Sequence, residues 1–403
     1  MGIVNRKKII IVSHALEIGG AERSLIGLLN AMKSMPFDVD LFLLRQEGEL
    51  LKYIPDHINL LPEVSEYTVL ARPMKETLRE GHLILTFARL IGKISAKRFA
   101  KKRKLSSEYI EIEYSHKYTY KWMPMIQANQ EYDLAISFLT PHYIVANKIN
   151  AKKKIAWIHT DYSQIDINIA SELNMWKVYD HIVSISESVK ISFLNVFPIL
   201  KDKIIIIENI LPISLIVQQS KSKDVSSEMS QNEIRLLSIG RFCFAKNFDS
   251  IPKICRGILE LGCNIKWYII GFGNDEPLIR EKISEFNMKN HVILLGKKEN
   301  PYPYIKKCDW YIQPSRFEGK AVTVREAQIL HKPVIITDYP TAQSQLIDGV
   351  DGIIVPLDSY SCAYSIATAI KNIDLTRKLI KNTYSIDYSG YSEIEKLNSI
   401  IEE

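Results

Sequence analysis

The chain is 403 residues long, which suits about two domains. Hydrophobic residues make up 46% and charged residues 24%, the balance of a globular protein with full cores, so a disordered or fibrous chain is excluded. The net charge is +6, and one run, Lys93 to Lys104, holds seven basic residues and no acid; with the excess gathered there, diffuse nucleic-acid binding is excluded as well.

The first predicted element is a buried strand, Lys8 to Ser13. Its apolar run is short and lacks a cleavage site, so it does not read as a signal peptide. No apolar stretch of the chain reaches the length of a membrane span. A loop with Gly19 and Gly20 follows, then a helical pattern in which Glu22 reads as a first-turn acid favoured by the helix dipole. Further strands are predicted at Asp38 to Leu44, Tyr132 to Phe138, Lys153 to His159, His181 to Ser186 and Lys203 to Asn209. Their continuous β-branched runs indicate strands covered on both faces. Helical patterns between them imply parallel sheets with crossover helices. Asp38-x-Asp40 opens an apolar strand, where its carboxylates are expected to cap or face water and not to hold a metal.

Residues 62–130 are less regular. Within them Ile84, Phe87, Ile91 and Ile94 recur at helical spacing ahead of the basic run. Two readings stay open: a core helix with a solvated basic end, or an interfacial helix that docks on an anionic membrane surface through residues 83–104. In "HTD", His159 and Asp161 offer two metal-ligand types with no third at suitable spacing; His159 also reads as a structural loop histidine.

The stretch Gln218 to Glu233 is polar and serine-rich, and 216–232 is assigned as a linker. Beyond it six more apolar runs, from "IRLLSIG" to "GIIVP", alternate with helical patterns. Each half opens as strand, glycine-bearing loop, helix. The expected architecture is therefore α/β: two Rossmann-like domains, 1–215 and 233–403, with parallel sheets facing a central cleft and the last helix free to pack back on the first domain. Ligands of such sheets bind at the carboxyl ends of the strands. The five cysteines form no Cys-x-x-Cys pair, which fits a reducing cytoplasm.

Arg241 and Lys246 would project from the first βα loop of the second domain, a fork and a point charge suited to a diphosphate. "RFEGKAVTVREAQIL" then places Glu318 and Glu326 eight positions apart. With a helix starting near Val322, both carboxylates are aimed above its N-terminus, where free N–H groups and the dipole attract anions. A phosphate beside two hydroxyl-gripping carboxylates suggests a phosphorylated sugar. "GFGND", Gly271 to Asp275, reads as a strand-to-helix turn near a nucleotide base.

Gly240-Arg241, Lys246, "PSRFEGKAVTVREA" and "DGVDGIIVP", with "GGAERS" (Gly19 to Ser24) and "AWIHTDYS" (Ala156 to Ser163), resemble retaining glycosyltransferases of family 4, GT-B fold, of the bacterial surface-polysaccharide type. The resemblance covers most of the chain apart from 62–130 and the linker. It implies catalytic roles for His159, Arg241, Lys246 and Glu318. Arg241 and Lys246 would hold the donor diphosphate, Glu326 the ribose hydroxyls and Glu318 the donor sugar. The amides of Gly319, Lys320, Ala321 and Val322 would line that sugar, Gly19 and Gly20 would let the backbone approach the donor phosphate and acceptor, and His159 would bond the transferred sugar. It further implies a nucleotide-diphosphate sugar as co-substrate without metal or other cofactor, a saccharide acceptor, lipid-linked, and a place in the cytoplasm on the inner membrane face. Two departures stand out. Lys320-Ala321-Val322-Thr323 replaces a common Phe-Gly-Leu-Pro run, and Gln345 stands where a glutamate is frequent, so no catalytic role is placed there. A nucleotide-sugar epimerase of the same fold and a non-catalytic sugar-binding scaffold remain as alternatives.

Overall fold

Runs of isoleucine and valine build the strands of the computed structural model, which describes residues 6–402. The chain divides into two units: the first runs to Ile210 and takes back Tyr391 onward, and the second is Leu211–Gly390. In the first unit the strands are β1 (Lys7–Ser13), β2 (Phe37–Leu43), β3 (Ile58–Leu60), β4 (Tyr132–Ser137), β5 (Ala151–Ile158), β6 (His181–Ser184) and β7 (Ile204–Ile206). They form one parallel sheet in the order β3-β2-β1-β4-β5-β6-β7. Ile9, Ile10 and Ile11 of β1 are fully buried, as strands covered on both faces require. The strand absent from the sequence expectations is β3, a three-residue edge strand whose central Asn59 is exposed.

The second unit holds β8 (Ile234–Ile239), β9 (Ile265–Ile270), β10 (Val292–Gly296), β11 (Trp310–Gln313), β12 (Val334–Thr337) and β13 (Ile353–Val355). Their order is β10-β9-β8-β11-β12-β13, again parallel. In each sheet the first strand has its sequence neighbour on one side and a later strand on the other. That reversal leaves a crevice at the carboxyl ends of the central strands.

The stretch 216–232 is not a linker. Ile216 of the helix Ile213–Gln219 is buried, and Val225 and Met229 lie in the core of the second unit. The carboxylate of Glu228 is tied to Lys223, Lys298 and the Tyr304 hydroxyl. Two apolar residues four apart are enough to pin an otherwise polar segment. The last helix, Glu393–Glu402, packs on the first unit: Leu397 is buried, and Lys153 donates to the Ile400 carbonyl at 2.8 Å. The region 62–130 is largely helical. Its longest helix, Leu83–Arg103, packs on Glu108–Thr119 through Ala96, Ala100, Ile110 and Tyr114. The spaced residues Ile84, Phe87, Ile91 and Ile94 are exposed, Phe87 by 64%. The core-helix reading of that face is therefore wrong: small alanines, not the large side chains, meet the neighbour.

Candidate functional site

In the second unit the polar groups of the motif converge where β8, β11 and β12 end. Lys246 Nζ meets Glu318 Oε1 at 2.5 Å. The same oxygen accepts from Ser315 Oγ at 2.6 Å and from Gln313 Nε2 at 3.2 Å. Gln313 is fully buried at the end of β11, and its Oε1 accepts from the Tyr311 hydroxyl at 2.7 Å and Thr323 Oγ1 at 3.3 Å. Arg316 forks onto Asp249 at 2.8 and 3.0 Å, clamping the loop after β8 to the loop after β11. Arg241 lies on that first loop and is exposed. The loop after β9 presses on it so closely that a Cβ on Gly271 would lie 1.9 Å from the Gly240 carbonyl oxygen, which only glycine avoids.

The helix Val322–Ile329 begins as the spacing implies. Its Glu326 is fully buried, and the Tyr302 hydroxyl donates to its Oε1 at 2.8 Å. Glu318 lies in the loop before the helix. The row of free amides is incomplete: the Ala321 N–H already donates to Gln345 Oε1 at 2.7 Å. Thr341 Oγ1 holds the Glu318 carbonyl at 2.8 Å, so the segment carrying Gln345 braces the loop. Gln313, Ser315, Arg316 and Tyr302 escaped the sequence reading. A glutamine inside the apolar run "WYIQP" was the available cue for the first.

In the first unit His159 follows β5. Its ring packs on Phe138 with centroids 4.6 Å apart, and burial lowers its pKa to about 4, so it is neutral at pH 7. Three further histidines accompany it. His14 follows β1, His142 follows β4 with its Nδ1 2.7 Å from Ser137 Oγ, and His116 sits on Glu108–Thr119, stacked on His14. Burial lowers the pKa of His14 to about 4 and those of His116 and His142 well below the usual value. Among the described residues each keeps one buried ring nitrogen without a partner: Nε2 of His14, His142 and His159, and Nδ1 of His116.

Gly19 is the N-cap of the helix Gly20–Ala31, and the carboxylate of Glu22 folds back over it. That space, expected to admit a phosphate, is held by an acid. Asp161 caps a short turn through the Ser163 amide, Asp38 pairs with Arg6, and Asp40 accepts from Asn59 and Tyr132. Among the described residues no group of three His, Cys, Asp or Glu side chains is placed to hold a metal.

Residues 219–386 match the family model for glycosyl transferases group 1, a stretch that contains Arg241, Lys246, Glu318 and Glu326 but neither Gly19 nor His159. An uncharacterized glycosyltransferase of Methanocaldococcus jannaschii is 27% identical over 219 residues, 51% of this chain and 53% of that protein. The Campylobacter jejuni N-acetylgalactosamine-N,N'-diacetylbacillosaminyl-diphospho-undecaprenol 4-alpha-N-acetylgalactosaminyltransferase is 27% identical over 161 residues, 40% of this chain and 43% of that one. The chain thus spans about half the length of these curated relatives. The crystal structure of Anabaena Alr3699/HepE in complex with UDP and glucose aligns over 98% of this chain and 100% of that one, with a TM-score of 0.68 and 14% identity. At that identity the likeness is one of fold, and the fold is GT-B.

Proposed function

We propose that the protein is a retaining, metal-independent glycosyltransferase that moves a hexosyl group from a nucleotide-diphosphate sugar to a hydroxyl of a saccharide. The observation that carries this reading is the Lys246–Glu318 pair on Gln313 and Ser315, at the N-terminal side of Val322–Ile329, inside the stretch that matches the family model. In the reaction the bond from the anomeric carbon to the diphosphate breaks and a bond to the acceptor oxygen forms on the same face. The acceptor proton passes to the leaving phosphate oxygen. Arg241, Lys246 and the helix terminus near Thr323 stabilise the charge that develops on that leaving group. Lys246 reaches the phosphate by exchanging Glu318 for it, which frees Glu318 to accept a sugar hydroxyl. Glu326 would turn from Tyr302 to the ribose. His159, held neutral, offers a hydrogen bond to the sugar without bringing a competing charge.

We place the acceptor on a lipid carrier and the protein in surface-polysaccharide assembly, on the cytoplasmic membrane face. The Campylobacter relative acts, by its name, on a diphospho-undecaprenol substrate. Among the described residues no helix is long and apolar enough to cross a membrane, but Leu83–Arg103 exposes an apolar row beside a basic end. Each Lys or Arg at an anionic surface contributes about 1 kcal/mol, enough in sum for reversible docking. The protein is expected to co-sediment with anionic vesicles and to leave them when salt is raised to about 1 M. Loss of that binding on changing Lys97, Arg98, Lys101, Lys102, Arg103 and Lys104 to glutamine completes the test; indifference of the wild type to anionic vesicles rejects the docking.

Mass spectrometry of products from a panel of nucleotide sugars and lipid extracts tests the reaction. Transfer appears as a lipid-linked glycan one sugar heavier, with nucleoside diphosphate released. An isomerised donor without a heavier acceptor means an epimerase, and no turnover of any donor means a binding protein.

A further inference from the structure

Gln313 ends β11 with its side chain fully buried, in a strand otherwise built from Trp310, Tyr311 and Ile312. Leucine or isoleucine would fill such a place without desolvating an amide, so the glutamine needs another reason. Its partners supply one. Nε2 donates to Glu318 Oε1 at 3.2 Å and to Ser315 Oγ at 2.8 Å, and Ser315 Oγ in turn donates to the same Glu318 oxygen at 2.6 Å. On the other side Oε1 accepts from the Tyr311 hydroxyl at 2.7 Å and from Thr323 Oγ1, in the first turn of Val322–Ile329, at 3.3 Å. The direction of the amide follows: an ionised carboxylate only accepts, so the nitrogen faces Glu318 and the oxygen faces the hydroxyls. Burial raises the Tyr311 pKa, which keeps that hydroxyl a donor.

These bonds fall unevenly on the carboxylate. Lys246, Ser315 and Gln313 all reach Glu318 through Oε1, and among the described residues none bonds Oε2. When Lys246 turns to a phosphate, Glu318 loses its cation but not its hold, because Gln313 keeps it both directly and through Ser315. Oε2 is then the oxygen left to meet a ligand. A leucine at this position would let the carboxylate follow the lysine. A glutamate would place a second negative charge where a donor is needed.

We propose that Gln313 is a positioning residue: it fixes Glu318 Oε1 while Lys246 is engaged elsewhere, so that Oε2 accepts a hydroxyl of the donor sugar. The sugar's part in this rests on the glycosyl-transfer reading above. Calorimetry and kinetics on the full chain test it together. The wild type should bind at least one of UDP-glucose, UDP-galactose, UDP-N-acetylglucosamine and UDP-N-acetylgalactosamine more tightly than UDP. Gln313→Leu should remove that margin without weakening UDP binding, and should lower kcat about tenfold or more, the scale of one charge-assisted hydrogen bond. Gln313→Glu separates positioning from folding. The ionisable groups around the amide are Glu318 with Lys246, Tyr311, Tyr339 and, on the helix, Glu326. Two carboxyls side by side hold a shared proton above the ordinary carboxylate range. The protonated form donates to Glu318 as the amide does, and the ionised form repels it. Relative to the wild type, kcat of Gln313→Glu should therefore fall about tenfold or more between about pH 6 and 9, read below the melting transition at each pH. The assignment is overturned if the wild type shows no margin, if Gln313→Leu keeps both the margin and kcat, or if the ratio of Gln313→Glu to wild type is flat across pH. Loss of the margin in Gln313→Leu, with no transfer by the wild type, rejects the transferase and spares the hold on Glu318. Transfer by the wild type, with margin and kcat intact in Gln313→Leu, does the reverse.

Discussion

At the carboxyl ends of β8 and β11 the polar side chains hold one another: Lys246 with Glu318, Glu318 with Ser315 and Gln313, Tyr302 with Glu326. At the carboxyl ends of β1, β4 and β5 they do not: His14, His142 and His159 each keep a buried nitrogen without a partner among the described residues. Both sets occupy the same topological place, the reversal point of a parallel sheet. The difference bears on what a ligand would do. At these second-unit groups it would exchange one partner for another, with a modest net effect of about 0.5–1.5 kcal/mol for each hydrogen bond; beside them Gln345 Nε2 and the Tyr339 hydroxyl lie buried without a partner among the described residues. In the first the ring nitrogens are sealed in the interior, and burial holds the imidazoles neutral. The first unit is therefore the one whose stability should depend on solution conditions, and the second the one whose chemistry should depend on single partners.

Acidification should separate the units most strongly. Burial lowers His14 and His159 from 6.5 to about 4. Between those values the unfolded chain binds more protons than the folded one, so stability falls as pH falls. A shift of that size corresponds to about 3 kcal/mol for each group once both forms are protonated, a large share of a typical domain's stability. Glu172, buried on the first-unit helix Ile169–Trp176, acts in the opposite sense. Burial raises its pKa from 4.5 to about 7, so what it contributes is full below 4.5 and is lost as pH rises through 7. Hydrogen exchange read strand by strand should show β1, β4 and β5 losing protection between pH 6.5 and 4 before β8 and β11 do. Glu172→Gln should flatten the loss on the alkaline side and leave the acid side unchanged. Simultaneous opening of both units in acid contradicts the comparison.

Next in size come the charges proposed for the diphosphate. Charge-assisted hydrogen bonds contribute about 1.5–3 kcal/mol, so Arg241→Ala and Lys246→Ala should each lower kcat/KM roughly 10- to 100-fold. Part of the loss should fall on kcat, because the leaving group gains charge in the transition state. Arg241 is exposed, so its removal should leave the melting temperature alone, whereas Lys246→Ala strips Glu318 of its cation. Unchanged steady-state kinetics in both would remove them from the site.

A smaller and sharper effect is expected from the two glutamates. Glu326→Gln should weaken UDP binding several-fold, because the proposed ribose contact is lost while Tyr302 keeps an acceptor. Glu318→Gln, which frees Lys246 from its ion pair, should not weaken UDP binding and should depress transfer. Calorimetry with UDP alone decides; equal weakening in both variants refutes the division of labour.

This contrast also explains what could be read in advance. The second unit's site comes mostly from two loops close to their strands, so Gly240-Arg241, Lys246 and Glu318-x7-Glu326 stand in the sequence as a recognisable set. The first unit's histidines sit in unrelated contexts: those in "VSHAL", "TPHYI" and "WIHTD" meet because β1 lies beside β4 and β4 beside β5, and the one in "YSHKY" is brought in by the helix Glu108–Thr119. No local pattern encodes that adjacency. The exposed row on Leu83–Arg103 was visible as spacing, but spacing alone does not say which face is covered; Ala96 and Ala100 against Ile110 decide it. The 216–232 stretch misled for the converse reason, since its average polarity hid Val225 and Met229.

The smallest expected effect lies at Gly19, where the two accounts of a glycine diverge. A Cβ there would fall 2.0 Å from Glu22 Oε2. At Gly271 a similar overlap meets the Gly240 backbone, which cannot yield without moving the loop that carries Arg241. At Gly19 the obstacle is the end of a flexible side chain, and the backbone, with φ −154° and ψ 167°, is extended and open to any residue. Gly19→Ala should therefore cost well under about 1 kcal/mol, mostly a displaced first-turn carboxylate and its interaction with the helix dipole. Adding Glu22→Ala removes the overlap, so the two substitutions should be non-additive in thermal melts. If Gly19 also gives the donor phosphate room, transfer should stay depressed in the double variant although the overlap is gone. Full recovery of transfer with Glu22→Ala would mean that Gly19 serves the fold of its own helix and that the first-unit phosphate contact should be sought elsewhere.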